Sequence, residues 1–292
     1  MDDPTTTPTP EPVTPEGSGG FLQNLLDLYF EPRTAFGRIV QNPTWVLPFA
    51  GYLVLVLAFT GVWLNHMEPA EFMKTQLQES GQWDRLTPEQ RQRAIDMQAN
   101  YIPIISWVSA FVATPIIFLT VSGALMFVFR FFYAGEVSFR QALAIVCWSF
   151  LALAVVTTPL TLGVMAMKDD WNINPQEALQ ANPSLLLDKA ETAKPLWALV
   201  TSFDLFSLWL MFLLASGFGV ACRKSTGSAF WGVALPWALL IAVKVGAAAI
   251  FEDNYFDMSP NETKTVAMID SGGAPEISIR ALNASPIILE IQ

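Results

Sequence analysis

Two ionisable residues lie inside sequence that is otherwise apolar enough to cross a membrane. Asp204 falls in SFDLFSLWLMFLLASGFG, and Lys244 falls in WALLIAVKVGAAAIF. A charge at bilayer depth costs about 3 kcal/mol or more, so each residue needs a partner, a water-filled cavity or a nearby helix end. Intramembrane charges of this kind hold helices together, bind ions or relay protons. We therefore look first to Asp204 and Lys244 for chemistry inside the membrane.

Motifs for enzymatic chemistry are missing from the sequence. It contains no GxxxxGK[ST] loop, no HExxH, no CxxC and no dinucleotide fingerprint. The single histidine, His66, has Glu68 and Glu71 nearby, but a metal site usually needs three or four converging ligands, so we interpret it as an ordinary interfacial histidine. The hydroxyls of Ser122 and Ser216 are expected to form hydrogen bonds with helix groups. The sequence predicts a non-enzymatic protein with no catalytic residues, no metal and no other cofactor.

The composition indicates a membrane protein. Of the 292 residues, 52% are hydrophobic and only 14% are charged, whereas soluble domains carry about a quarter charged residues. The net charge of -10 and the lack of a basic cluster argue against a nucleic-acid partner. Cys147 and Cys222 lie far apart in or beside apolar sequence, which favours two packing residues over a disulfide.

The elements that must position Asp204 and Lys244 are five apolar segments, each close to or above the roughly 20 residues that a helix needs to cross a bilayer. Their predicted bounds are 45–64, 104–131, 142–167, 196–220 and 230–251. Tryptophans lie at or near the segment ends, as in an interfacial aromatic belt. Pro115, Pro159 and Pro236 fall inside spans, where we expect bends. The predicted fold class is an all-α membrane protein with a five-transmembrane-helix bundle over residues 44–251.

The segments before the first span divide into two parts. Residues 1–20 are acidic and rich in Pro and Thr, which predicts disorder. Residues 21–43 repeat apolar positions at helical spacing on both sides of Pro32, which predicts one or two amphipathic helices on the membrane surface; a linker that merely leads into the first span is the alternative.

The connections predict the orientation. The two short ones are basic, with Arg130, Arg140, Arg223 and Lys224, while the two long ones hold more acidic than basic residues. By the positive-inside rule the N-terminus is cytoplasmic and the C-terminus is external. The five spans and this orientation predict a multi-pass membrane protein.

The long connections and the tail carry their own signals. Thr87, Pro88 and Gln90 form a capping-box pattern for a helix in the first long connection. The second is expected to hold short helices interrupted by Pro175 and Pro183. Residues 252–292 are predicted to be an external acidic tail, in which 264–270 and 275–282 would form a short hairpin.

Counting along antiparallel helices places Asp204 and Lys244 at matching depth, about 12 Å and about 10 Å below the outer ends of their spans. Small residues at four-residue spacing favour close approach of these two helices: Ala215 and Gly219, Gly217 and Ala221, and Ala242 and Gly246. A structural ion pair is the leading interpretation. A proton- or ion-handling pair and independent snorkelling stay open.

Three stretches resemble the Yip family, five-span membrane proteins named for interaction with Rab-type GTPases. They are DLYFEPRTAFGRIVQNPTWVLP, GEVSFRQALAIVCWSFLAL and DLFSLWLMFLLASGFGVACRKSTGSAFWGVALPW. Asp27, Leu28 and Tyr29 resemble the start of the family's Asp-Leu-Tyr-Gly-Pro motif, with Phe30 and Glu31 in place of its glycine. Pro32, Phe36, Ile39 and Pro43 match the spacing of the bacterial branch. The resemblance covers roughly residues 21–251 and implies a bacterial inner-membrane location.

The resemblance and the amphipathic segment together predict a membrane adaptor or membrane-organising protein. Its candidate partner-binding residues are Asp27, Leu28, Tyr29, Pro32 and Phe36. The expected partners are the lipid bilayer and unidentified membrane or cytoplasmic proteins, and a homo-oligomer stays open. The alternative is a small-solute transporter or channel that uses Asp204 and Lys244, although no internal repeat is visible.

Overall fold

The computed structural model describes residues 20–79, 83, 86–179, 181–187, 192–253, 276–279 and 287–290. The predicted disordered tail, apart from Gly20, lies outside these residues. The helices in order are α1 (Phe21–Phe30), α2 (Pro32–Gln41), α3 (Val46–His66), α4 (Pro69–Glu79), α5 (Pro88–Val108), α6 (Thr114–Tyr133), α7 (Phe139–Lys168), α8 (Pro175–Ala178), α9 (Lys194–Val200), α10 (Leu205–Ala221) and α11 (Thr226–Asp253).

Within the described residues, four helical stretches are long and apolar enough to cross a membrane: Val46–His66, Pro88–Tyr133, Phe139–Lys168 and Thr226–Ala249. A fifth span forms if α9 and α10, which meet at a bend of 51°, are taken together. The all-α membrane bundle predicted from the sequence is confirmed. The fourth predicted span, 196–220, is corrected in one respect, because it breaks between Val200 and Leu205.

The second span is longer than its apolar sequence. The predicted capping box forms, since the Thr87 side chain accepts from the Gln90 N–H while the Gln90 side chain accepts from the Thr87 N–H. From there one helical stretch runs to Tyr133 through a π-helical turn at Ser109–Ala113. We attribute this turn to Pro115, which lacks an N–H and whose ring would clash with the carbonyl four residues earlier. The loop helix and the span, predicted as separate elements, are therefore continuous.

Helix α7 is the centre of the bundle. In the most apolar stretch of α7, 56% of the residues are buried. In the other unbroken spans the buried share is 22% or less, so these helices leave much more of their surface available to lipid. Its buried residues include Cys147 and Trp148, and the structure has Cys147 and Cys222 as free thiols, as predicted. Both α7 and α11 continue as helices through Pro159 and Pro236.

The second long connection differs slightly from the prediction. Pro175 begins helix α8, and Pro183 begins a 3-10 turn, Pro183–Leu186. Both prolines sit in a first turn, where the missing N–H costs nothing because that N–H has no helical partner. They start the short helices rather than interrupting them.

Residues 251–292 belong to a separate unit. Its described strands, β1 (Glu276–Ile279) and β2 (Ile287–Glu290), pair antiparallel with Glu276 opposite Glu290. The predicted hairpin is thus corrected: the strand near residue 276 forms, but its partner follows it in sequence. Residues 264–270 lie outside the described residues.

Candidate functional site

The N-terminal helix pair α1–α2 is folded by its local sequence. Pro32 cannot continue the hydrogen bonding of α1, and it disfavours helical geometry at Glu31, where φ is -134°. The same proline begins α2, so one residue separates two ten-residue helices. The segment predicted as one or two amphipathic helices therefore forms two helices, which are joined by the single residue Glu31.

The helix pair packs into the bundle through large apolar side chains. Leu28, Phe36 and Ile39 are each at most 2% exposed. Phe36 fits against Gly217 of α10, where an added Cβ would lie 3.1 Å from the Phe36 ring and inside contact distance of Ile145 on α7. The lack of a side chain at Gly217 therefore makes room for α2 between α7 and α10.

Hydrogen bonds donated by arginine and glutamine side chains fix both ends of α2. Arg33 donates to the Lys224 carbonyl and to Thr226 Oγ1 at 2.9 Å, which joins the start of α2 to the connection between α10 and α11. Arg140 donates to the Pro43 carbonyl at 3.0 Å, and Gln141 donates to the Val40 carbonyl at 3.1 Å. Helix α2 thus spans from the α10–α11 connection to the start of α7.

A hydrogen bond from a tyrosine hydroxyl and an ion pair hold helix α1 in place. The Tyr29 hydroxyl donates to the Ala152 carbonyl of α7 at 2.8 Å, and partial burial raises the pKa of Tyr29. Asp27 accepts from Arg38 of α2, and the Arg38 Nε donates to Asn24 Oδ1 at 2.9 Å. The two helices are therefore joined to each other, and α1 is also joined to α7.

All five residues predicted to bind partners have structural roles within the chain, and their binding to partners stays a prediction. Leu28 and Phe36 are core residues, Pro32 begins α2, and Asp27 and Tyr29 make contacts within the chain. The exposed apolar residues on this helix pair are different ones.

The exposed stripe consists of Leu22, Leu26 and Phe30, which are 70%, 57% and 81% exposed. The residues of α1 that were predicted to bind partners, Asp27, Leu28 and Tyr29, are neighbours of this stripe in the sequence. Their i, i+4, i+8 spacing was a readable signal for one helix face.

Asp204 is a helix N-cap. Its carboxylate accepts from the N–H groups of Phe206 and Ser207 at 2.9 and 3.0 Å, and it also accepts from the Ser207 hydroxyl. An N-terminal carboxylate satisfies free N–H groups and interacts favourably with the helix dipole. The Asp204 charge, which is only partly buried, is therefore compensated at the bend between α9 and α10.

Lys244 contacts the residues that follow α9, on the other side of the bend from Asp204. Its Nζ donates to Ser202 Oγ at 3.1 Å and to Thr201 Oγ1 at 3.3 Å. In the part of the chain that the structure describes, the ion pairs are Arg38–Asp27 and Lys74–Glu71. The expected direct ion pair of Asp204 with Lys244 is not formed, because hydroxyls and N–H groups already satisfy each charge.

Asp204 and Lys244 nonetheless border one cavity of about 230 Å³ between the broken span and α11. Its polar lining includes Thr201, Ser202 and Ser207, and its apolar lining includes Trp237. The proximity of the two charges was predicted from the sequence. The cavity that they border was not, because it depends on the bend between α9 and α10.

The small-residue pairs serve different contacts from those expected. An added Cβ at Gly219 would lie 3.4 Å from the Ala229 Cβ, so α10 and α11 do approach closely at this end. Gly217 instead receives Phe36, and an added Cβ at Gly246 would meet nothing within 4 Å.

The remaining candidates are explained by packing. His66 stacks on Trp171 with ring centroids 4.4 Å apart, and no group of three or more potential metal-ligating residues occurs among the described residues. Ser122 donates to the Phe118 carbonyl at 2.6 Å, as predicted. The prediction for Ser216 is wrong in this respect, because its buried hydroxyl has no hydrogen-bond partner in the described part of the chain.

Comparison with known proteins bears on the whole bundle. An Ig-fold domain model matches residues 237–282, of which 237–253 lie in helix α11 and 276–279 form strand β1. No curated protein and no solved structure matches the chain. The Yip1 domain model matches residues 26–247, from within α1 to the last turns of α11. With this match over most of its length, the chain belongs to the Yip1 domain family.

Proposed function

We propose that this multi-pass membrane protein is a non-enzymatic adaptor or membrane organiser that presents helix α1 to protein partners. The observation that carries the proposal is the exposed stripe of Leu22, Leu26 and Phe30 on a helix that is otherwise tightly held. An apolar stripe on a helix whose backbone is already held in place offers contact area without the entropic cost of ordering that helix on binding. Membership of the Yip1 domain family supports the membrane setting.

We also propose a cytoplasmic N-terminus, an external C-terminus and a place in the bacterial branch of the family, in the cell membrane. The orientation is supported by basic residues that the fold collects beside α2. Arg33 contacts the connection that carries Arg223 and Lys224, and Arg140 contacts Pro43. Such clustering on one side is typical of the cytoplasmic face. Reporter fusions at the N-terminus and after Asp253 test this topology, and active external reporters at the N-terminus would contradict it.

Site-specific photo-crosslinking in native membranes tests the adaptor proposal. The probe replaces Phe30, and a matched probe replaces Leu239 of α11, which is 66% exposed. Protein adducts should form from position 30, and adducts from position 239 should contain only lipid. Lipid adducts alone at both positions would refute the adaptor.

A second variant separates binding from folding. Leu22→Ser combined with Leu26→Ser changes only exposed positions, so the core should persist while the adduct is lost. Deletion of residues 21–43 is less informative, since it removes Leu28 and Phe36 from the core.

A transporter or channel for small solutes is the second candidate, favoured by the cavity at the broken span. Discontinuous membrane helices with polar groups at the break commonly form solute and ion sites. Here the cavity brings a carboxylate, an ammonium group and three hydroxyls together. A homo-oligomer could complete such a pathway, because only 11% of the most apolar stretch of α11 is buried within the single chain.

Flux in reconstituted vesicles tests this candidate. Asp204→Asn keeps an N-cap side chain but removes the charge, so it should abolish flux while leaving the protein folded. A matched control is Asp96→Asn, which changes an exposed carboxylate of α5 far along the chain from the cavity. Absence of flux over a broad solute panel, with the protein folded, would exclude the candidate.

A further inference from the structure

A second cavity, of about 310 Å³, lies where α1, α2, the start of α3 and α7 meet. Its lining includes Phe21 and Asn24 from α1, Arg38 from α2, Asn42 and Leu47 around the start of α3, and Trp148 from α7. The volume is within the range of small-molecule sites. The adaptor proposal does not use this cavity.

The cavity has one cationic wall. The Arg38 side chain is only 15% exposed, and Asn24 and Asp27 fix its orientation through Nε and Nη2. No hydrogen bond within the described residues involves its Nη1. A guanidinium held in place with donors still available is suited to phosphate oxygens, which it binds with planar, paired hydrogen bonds.

Another part of the lining is aromatic. Phe21 packs on Trp148 with ring centroids 5.0 Å apart, and the Trp148 indole N–H is already satisfied by the Thr44 carbonyl at 3.1 Å. The indole therefore contributes apolar surface rather than a free donor. This part of the lining suits the glycerol and upper acyl region of a lipid better than a fully polar solute.

One lining residue of the cavity, and two residues next to lining residues in the sequence, are apolar and exposed. Leu47 lines the cavity and is 58% exposed, Val46 is 61% exposed, and Leu22 on the first turn of α1 is 70% exposed. Val46 and Leu47 begin α3, one of the membrane-spanning helices. The cavity therefore lies at the level where a span begins, which is the level of phospholipid headgroups.

We propose that this cavity binds the phosphate group of a membrane phospholipid, with Arg38 as the phosphate ligand and the acyl chains leaving over Leu47. The Asp27 carboxylate competes with the phosphate for the guanidinium. Removing that carboxylate while keeping its shape should strengthen lipid binding, which is a result that a purely structural ion pair would not give.

The experiment uses the full chain, purified in detergent and stripped of lipid, with binding measured by native mass spectrometry and thermal stabilisation. The probes are dihexanoyl phosphatidylglycerol, dihexanoylglycerol and glycerol 3-phosphate. The phospholipid should bind more tightly than either of the others, because only it combines phosphate with acyl chains.

Four variants assign the contact. Loss of a charge-assisted hydrogen bond should weaken phospholipid binding about tenfold or more in Arg38→Gln, while Asp27→Asn should tighten it. Arg33→Gln, which changes an arginine of the same helix outside the cavity, should bind like the wild type. Should Arg38→Gln alone unfold, the double variant Asp27→Asn with Arg38→Gln leaves neither charge unpaired and should show the same weakening.

The proposal is overturned if the double variant binds the phospholipid as the wild type does. It is also overturned if dihexanoylglycerol binds equally well, which would show simple apolar uptake, or if glycerol 3-phosphate does, which would assign the cavity to a soluble phosphate compound. None of these outcomes depends on whether Phe30 contacts a protein.

Discussion

Gly217→Ala should destabilise the bundle, although alanine is the better helix former. The added Cβ would lie 3.1 Å from the Phe36 ring and within contact distance of Ile145 Cγ2. Optimal carbon separations are about 3.5–4.0 Å, so two fully buried side chains on two helices must move. Ile145 is β-branched and stiff, which limits relief by rotation. Overpacking of this kind costs about 1–3 kcal/mol.

The matched control is Gly37→Ala on α2, where an added Cβ meets nothing within 4 Å. That change should gain up to about 1 kcal/mol from helix propensity, so the two substitutions should have opposite signs. The measurement is the unfolding free energy from SDS titration in mixed micelles, supported by thermal unfolding of the detergent-purified protein.

A double-mutant cycle identifies the clash. In the Ile145→Ala background the space left by the isoleucine side chain should accept the Cβ added at position 217, and the cost of Gly217→Ala should fall. Equal stability of the Gly217→Ala and Gly37→Ala variants would refute the reasoning that Gly217 makes room for α2. An unchanged cost in the Ile145→Ala background would show that the strain lies elsewhere.

Three further predictions use the same unfolding measurement, and a fourth uses hydrogen exchange. Tyr29→Phe removes the hydrogen bond to the carbonyl of α7 and should cost about 1 kcal/mol, and no change would indicate that α1 is not fixed by it. Asp204→Ala should cost about 1 kcal/mol as a lost N-cap, with Asp204→Asn nearly neutral, whereas equal losses would point to the charge itself. Lys244→Met should change stability by less than about 0.5 kcal/mol, because Thr201 and Ser202 keep carbonyl partners; a large loss would restore the ion-pair interpretation. Thr87→Ala should increase amide exchange in the first turn of α5 alone, by breaking the capping box.

Much of the architecture could be predicted because each signal is local. Apolar length defines the spans, since the bilayer sets how many residues a helix needs. Pro32 defines the division of α1 from α2, and the Thr87 capping box defines the start of α5. These features depend on residues a few positions apart, so no knowledge of the tertiary structure is needed.

The candidate site was only partly predictable. The spacing of Leu22, Leu26 and Phe30 indicates an apolar face, yet the same helix also has Leu28 and Tyr29, and sequence does not tell which face the bundle covers. The packing of Phe36 against Gly217 determines which face is covered, because it turns one face of the helix pair toward α7 and α10. A residue that resembles a partner contact can therefore prove to be core.

The sequence by itself shows two charged residues, Asp204 and Lys244, that are costly in a membrane, and it predicts similar depth for them. Only the tertiary structure decided how each charge is compensated. Hydropathy summed along 196–220 does not reveal the 51° bend that makes Asp204 an N-cap and frees Thr201 and Ser202 to accept from Lys244. The bend leaves the first N–H groups of α10 in need of acceptors, and the Asp204 carboxylate accepts from these N–H groups instead of from the Lys244 ammonium group.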